Sequence, residues 1–96
     1  NTETLEQFGA VSEQTAKEMA INVRQKADAD FGVSVTGVAG PSSSEGHPAG
    51  YVFIAVASEE KCVAKLLNIN PKSRDFVRAS AGISLLELLD YFIKEA

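Results

Sequence analysis

The residues Thr36-Gly37-Val38-Ala39-Gly40-Pro41 follow directly on an extended apolar stretch from Phe31 to Val35. A hydroxyl and two glycines at the carboxyl end of a strand bring one side-chain oxygen and several backbone N–H groups together. That combination holds anions and nucleotides in α/β proteins. Thr36, Gly37 and Gly40 are therefore candidate binding residues. The same run also reads as a plain turn, since glycine tolerates positive φ and Pro41 stops a helix from following at once. Further along, Arg74 and Arg78 stand four apart, so on a helix they project from one side. Two guanidiniums near a positive helix end repel each other unless an anion or a carboxylate lies between them. Either a ligand's negative group or a surface pairing with Glu59, Glu60 or Asp75 would meet that need.

The elements that must position these groups can be read from periodicity. Ser12 caps a predicted helix running to about Ala27, with Glu13 in its positive first turn. Ala16, Met19, Ala20, Val23 and Ala27 form its narrow apolar face, with Met19 as core filler. Lys17, Glu18, Arg24 and Lys26 face water. Phe31, Val33 and Val35 then alternate as a short strand entering the glycine run. Ser42 to Gly50 is a broken loop, expected to cover or border the site. Tyr51 to Ala57 is a near-continuous apolar run, the pattern of a strand buried on both faces. The polar break Ser58-Glu59-Glu60 leads to a second β-prone run from Cys62 to Ile69. So short a connection requires an antiparallel pair, and Lys65 on that run marks a sheet edge. A final helix starts at Asn70-Pro71, with proline in its first turn, or is capped by Ser73. It continues to about Lys94. Val77, Ala81, Leu85, Leu88 and Phe92 form its buried face, widened by Leu86, Leu89 and Ile93. Gly82 within it implies close packing, because glycine costs a helix up to about 1 kcal/mol relative to alanine.

Composition narrows the function classes. With 96 residues, 45% hydrophobic and 23% charged, the chain is at most one domain of ordinary globular type. No apolar run approaches the ~20 residues that span a bilayer, so no membrane partner is expected. A net charge of -4 argues against direct binding to nucleic acid. The single cysteine, Cys62, excludes an internal disulfide and fits a cytoplasmic setting. His47 and Cys62, far apart and without paired neighbours, give no basis for a metal site. The opening at Asn1, with a polar start anchored only by Leu5 and Phe8, leads to the expectation of a fragment covering residues 1–96 as one unit.

One ordered set of segments is more specific than any single motif. Gly9-Ala10-Val11-Ser12-Glu13 opens a helix and Ala29-Asp30 precedes a strand. Val35-Thr36-Gly37-Val38-Ala39-Gly40-Pro41, Pro48-Ala49-Gly50, and Arg74 with Arg78 complete the set. Together they resemble the C-terminal domain of the bacterial competence-damage inducible CinA family, which includes the nicotinamide mononucleotide deamidases. The resemblance covers the whole chain and matches it to the C-terminal portion of that domain. The form Glu45-Gly46-His47-Pro48-Ala49-Gly50 looks most like versions from Gram-positive bacteria.

The resemblance implies an α/β fold, part of a three-layer α/β/α domain with a mixed sheet, one strand of which is antiparallel. It implies a cytoplasmic hydrolase, a nicotinamide-nucleotide amidase that converts nicotinamide mononucleotide to the nicotinate mononucleotide and ammonia without a cofactor. Family members carry a serine nucleophile in a Glu-Ser-x-Thr-Gly-Gly type segment and then a Tyr and Lys pair, all upstream of the Gly-Ala-Val-Ser-Glu helix. Those elements are not among these 96 residues, and Ser12 is better explained as a cap. The residues here are therefore expected to be inactive alone. Carried over are Thr36, as a catalytic hydroxyl near the nucleophile or the substrate amide, and Arg74 and Arg78, for the substrate's negative groups. The Gly37 and Gly40 amides add hydrogen bonds. Ser42 to His47 departs from the glycine-rich stretch of many relatives, which bears on substrate preference. Two alternatives belong to other classes: a competence and DNA-repair binding or assembly module without amidase activity, and a homo-oligomer built through the Cys62–Ile69 edge or the last helix.

Overall fold

The computed structural model describes residues 11–38 and 49–95, together with Glu3, Gln7 and Gly9. Five elements follow in order: α1 (Glu13–Ala27), β1 (Gly32–Gly37), β2 (Tyr51–Ala57), β3 (Cys62–Asn68) and α2 (Arg74–Glu95). The strands form one sheet in the order β1-β2-β3, and both pairings are antiparallel. Partners such as Ser34 with Ala55 and Val52 with Leu67 fix the register. The β2–β3 pairing is the expected hairpin, and β1 also joins β2 antiparallel. The parallel pairing that makes a sheet mixed is not among the described strands.

Register sorts the side chains into two layers. Gly32, Ser34 and Thr36 share a face with Phe53, Ala55 and Ala57. There Ala16 and Ala20 of α1 pack against Ala55 and Ala57. On the other face, Val52 and Ile54 meet Val77 and Ala81 of α2, flanked by Leu67, Leu85 and Leu88. The result is an α/β/α sandwich with β2 buried from both sides, as its apolar run requires. The two faces differ in grain. Alanines let α1 sit so close that a Cβ on Gly32 would overlap the Ala20 carbonyl, and Ser34 Oγ donates to Ala16 O at 2.5 Å. Among the described residues no helix is long and apolar enough to cross a membrane.

Several sequence expectations need correction. The strand predicted over Phe31 to Val35 runs to Gly37, so Thr36 and Gly37 belong to the ladder. Gly37 has no positive φ. Its missing side chain matters because a Cβ would lie 2.7 Å from Tyr51 O and from Val52 Cα. The buried face of α1 is rotated from the predicted stripe: Thr15, Ala16 and Ala20 are buried, while Met19 is 40% and Val23 52% exposed. Met19 is therefore not core filler. Arg24, expected in water, is half-buried, with Nη1 donating to Ala29 O at 3.3 Å and Nε buried without a partner. Of the two starts considered for α2, Ser73 is the cap. Its Oγ accepts the Phe76 N–H at 3.0 Å and its carbonyl the Val77 N–H at 3.1 Å, which leaves Pro71 outside the helix. Gly82 meets nothing within 4 Å, so close packing is not its reason. Leu86, at 67% exposed, and Ile93, at 47%, do not widen the buried face within this chain.

Candidate functional site

The site is built where β1 ends. Val77, in the first turns of α2, packs on Val52, the partner of Gly37. Phe92, near the other end of α2, meets Phe31, just before β1. The N-terminus of α2 therefore lies at the carboxyl end of β1. α1 runs the same way, since Ala16 bonds Ser34 while Ala20 and Arg24 crowd Gly32. Two helix N-termini and one strand end thus converge, and both macrodipoles place positive potential there.

Each terminus has a local reason. Ser12 is in extended backbone, with Oγ accepting the Thr15 N–H at 3.1 Å. Thr15 Oγ1 donates to Gly9 O at 2.7 Å, and Ser12 Oγ lies 3.2 Å from the same carbonyl and 3.0 Å from Thr15 Oγ1. A buried hydroxyl held this way caps the helix and is not a free nucleophile. Behind the end of β1, Val38 N–H donates to Tyr51 O at 3.0 Å. Gly50 N–H donates to Val38 O at 2.6 Å, and Gly50 O accepts the Ile69 N–H at 2.9 Å. Gly50 does this at φ 89, where a side chain would run into Ile69 O. All three strands are tied at that point.

The sequence-predicted residues fall on two sides of this end. Thr36 faces the α1 layer opposite Phe53 and is partly buried. Gly37 faces the α2 layer, where Arg74 and Arg78 stand exposed on the first turns of the helix. Among the described residues neither arginine has a carboxylate at ion-pair distance; the pairs found are Lys17 with Glu13 and Lys94 with Asp90. The surface pairing with Glu59, Glu60 or Asp75 is not formed. Thr36 and the arginines are thus brought to one end of the sheet but on opposite faces of it. Gly40 and the loop expected to border the site lie outside the described residues.

Sequence reasoning missed an aromatic pair beside Thr36. Tyr51 and Phe53 share its face, and their rings stand edge to face with centroids 5.5 Å apart. The period-two spacing of two aromatics opposite the threonine was the available signal. A cleft of about 370 Å³ lies elsewhere, between β3 and α2, lined by Lys65, Ser84, Glu87, Leu88 and Tyr91. It shares no residue with the sequence candidates, and the convergence of helix ends and arginines is the better guide to anion chemistry.

Cys62, at the start of β3, is part-buried with Sγ 3.8 Å from Lys17 O. Burial pushes its thiol above the ordinary value of 9.0, partly offset by the nearby Lys17 ammonium. The thiol stays neutral at physiological pH, the opposite of an activated nucleophile.

Comparison with known proteins agrees with this architecture. The model of the CinA C-terminal domain matches residues 1–93. A putative competence-damage inducible protein of Streptococcus pneumoniae (strain CGSP14) is 48% identical over 85 residues, 88% of this chain and 20% of the relative. The crystal structure of a competence/damage inducible protein from Agrobacterium tumefaciens superposes with a TM-score of 0.87 at 35% identity. That match takes in 95% of this chain and 56% of that one. A CinA superfamily protein from Klebsiella pneumoniae gives a TM-score of 0.94 at 28% identity, over 100% of this chain and 60% of that one. This chain therefore spans a fifth of the length of the curated relatives it matches and somewhat more than half of the solved chains. By family match, identity and fold, the chain belongs to the CinA C-terminal domain family.

Proposed function

We propose that these residues form the nucleotide-binding half of a nicotinamide-nucleotide amidohydrolase. The observation that carries this reading is the convergence of Thr36, two helix N-termini and the exposed, unpaired Arg74 and Arg78 at one end of the sheet. Nicotinamide mononucleotide has a phosphate at one end and a carboxamide on an aromatic ring at the other. A strand end with cations on one face and a hydroxyl beside two aromatic rings on the other suits both ends at once. The arginines take the phosphate. The Thr36 hydroxyl and the Gly37 amide serve the carboxamide, with Tyr51 and Phe53 beside the ring.

Hydrolysis also requires an activated nucleophile, a proton donor to the departing ammonia and donors for the oxyanion. A serine paired with a neutral lysine meets the first two requirements, and the resemblance assigns both to a segment outside these residues. The two helix termini and the Gly37 N–H contribute to the third.

Ammonia release from nicotinamide mononucleotide tests this in a protein that joins these residues to the portion of the Agrobacterium domain outside the match. Thr36→Ala is expected to lower kcat by about 100-fold, the lower end of the range for loss of one transition-state donor. Arg78→Ala should raise KM by about tenfold while kcat stays near its starting value. Unchanged activity in Thr36→Ala removes Thr36 from the mechanism. A second reading, a competence and DNA-repair assembly module without amidase activity, draws on the outward Ile83 and Leu86 of α2, 61% and 67% exposed. Absence of nucleotide binding by the same protein would favour it.

A further inference from the structure

At the β3 side of the sheet no described strand follows, but α2 reaches past that edge. Lys65 pairs with Ile54, which packs with Val77 and Ala81 of α2, so Lys65 rises from the edge on the α2 side. On the helix, Ser84, Glu87, Leu88 and Tyr91 are spaced i, i+3, i+4 and i+7, which puts them on one stripe. That stripe overhangs the last strand, and the cleft of about 370 Å³ is the space between them.

The lining is graded. Leu88 and Ser84 are half-buried, while Lys65, Glu87 and Tyr91 are exposed. An apolar floor with one hydroxyl is therefore rimmed by a cation, an anion and an aromatic ring. Lys65 and Glu87 carry opposite charges in one cleft, yet they do not pair, and among the described residues neither has another ion-pair partner. A simple anion would meet the Glu87 carboxylate as well as the ammonium, and a simple cation would meet Lys65, so repulsion disfavours both. A molecule that offers a carboxylate to Lys65 and an ammonium to Glu87 bridges the gap that the side chains leave open. The cleft lies near the lower end of the ~300–1,000 Å³ range of small-molecule sites, and the lysines of this edge, Lys61 and Lys65, discourage an added strand.

We propose that this cleft binds a free α-amino acid with an aromatic side chain. The Lys65 ammonium and the Ser84 hydroxyl donate to its carboxylate, and the Glu87 carboxylate accepts from its ammonium. Its side chain lies on Leu88 against the Tyr91 ring, which is 64% exposed without an occupant. Neither charge of the ligand then faces a like charge. The site shares no residue with Thr36, Gly37, Arg74 or Arg78 and is independent of the amidase reading.

The test is titration of this chain with L-phenylalanine, followed through amide chemical shifts. Saturable shifts centred on Lys65, Ser84, Glu87, Leu88 and Tyr91 are expected. Phenylpropionate lacks the ammonium and phenethylamine lacks the carboxylate, so each should bind about tenfold more weakly, the scale of one charge-assisted contact. Glu87→Gln should weaken phenylalanine by about tenfold and leave phenylpropionate no weaker than before. Lys65→Thr should weaken phenylalanine equally and leave phenethylamine no weaker. Both positions are exposed, and circular dichroism checks that the variants keep the fold. Absence of a saturable shift up to about 10 mM would overturn the proposal, as would shifts centred on Thr36 or Arg78. Equal affinity for phenylalanine and phenylpropionate would overturn it too, by making the cleft a plain anion site, and affinity unchanged in both variants would place the ligand elsewhere.

Discussion

The two ends of the sheet are built to opposite rules. At the end where β1 begins, ring packing and a helix cap close the fold. Phe31 meets Phe92 edge to face at 6.0 Å, and Lys61 Nζ stands 5.0 Å from the centre of the Phe92 ring. Asp28 closes α1 in the left-handed region at φ 50, with its N–H on Gln25 O. At the end where β1 stops stand two capped helix N-termini, the partly buried Thr36 and two exposed arginines with no carboxylate at ion-pair distance among the described residues. Aromatic packing marks the first end, and the candidate binding groups stand at the second. The difference shows how a small domain can keep like charges and helix dipoles together: Val77 on Val52 and the backbone bonds of Val38, Gly50 and Ile69 fix that end from within.

If that division holds, substitutions at the two ends separate stability from binding. The largest effect is expected from Phe92→Ala, which empties the fully buried centre of the closed end. A loss of about 3–5 kcal/mol in urea unfolding is anticipated, and a loss below about 1 kcal/mol would break the comparison. Ser12→Ala, at the open end, removes a cap and should cost about 1 kcal/mol, read in the same way. Midway between the ends, Gly82→Ala should add stability of up to about 1 kcal/mol, because helix propensity is gained and nothing lies within 4 Å of the new Cβ. A destabilised variant would show that this flank of α2 is covered after all.

The smallest effect is a pH dependence at Cys62. Its thiol has a raised value in the folded state, so the folded chain holds the proton more tightly than the unfolded one. The resulting stability is complete below the ordinary value of 9.0 and is lost as pH rises from there through the higher folded value. Cys62→Ala should flatten the fall in stability above pH 9. A fall of equal slope in the variant would assign it to other groups.

What the sequence made legible depended on whether one residue or many carried the signal. The Ser12 cap, the β2–β3 hairpin and the doubly buried β2 each follow from a local rule, and each is present. The α1 face did not follow, because alanines carry too little hydrophobicity to outweigh Met19 and Val23 in a periodicity argument. Close approach to Gly32 instead selected Ala16 and Ala20. Gly37 was misplaced for a related reason. A glycine after a strand suggests a turn, whereas here it lets two strands approach within the ladder. At the site, Thr36 and the arginines were identifiable by type. Their location on opposite faces was not, since it rests on pairing across the whole sheet.

The turn joining β2 to β3 has a kinetic consequence. Ser58 N–H bonds Lys61 O at 2.7 Å, while Ser58 Oγ accepts the N–H groups of Glu60 and Lys61 at 3.3 and 3.2 Å. So tight a closure loses little chain entropy, and hairpins of this kind form in about 1–10 μs. β1 reaches β2 only after the chain from Val38 returns at Tyr51, and α2 arrives from farther still. The hairpin is thus the expected folding nucleus, and mutations in Ser58 to Lys61 should slow folding while those in β1 mainly speed unfolding. The strand that borders the candidate site would be the last of the three to join the sheet and the first to leave it.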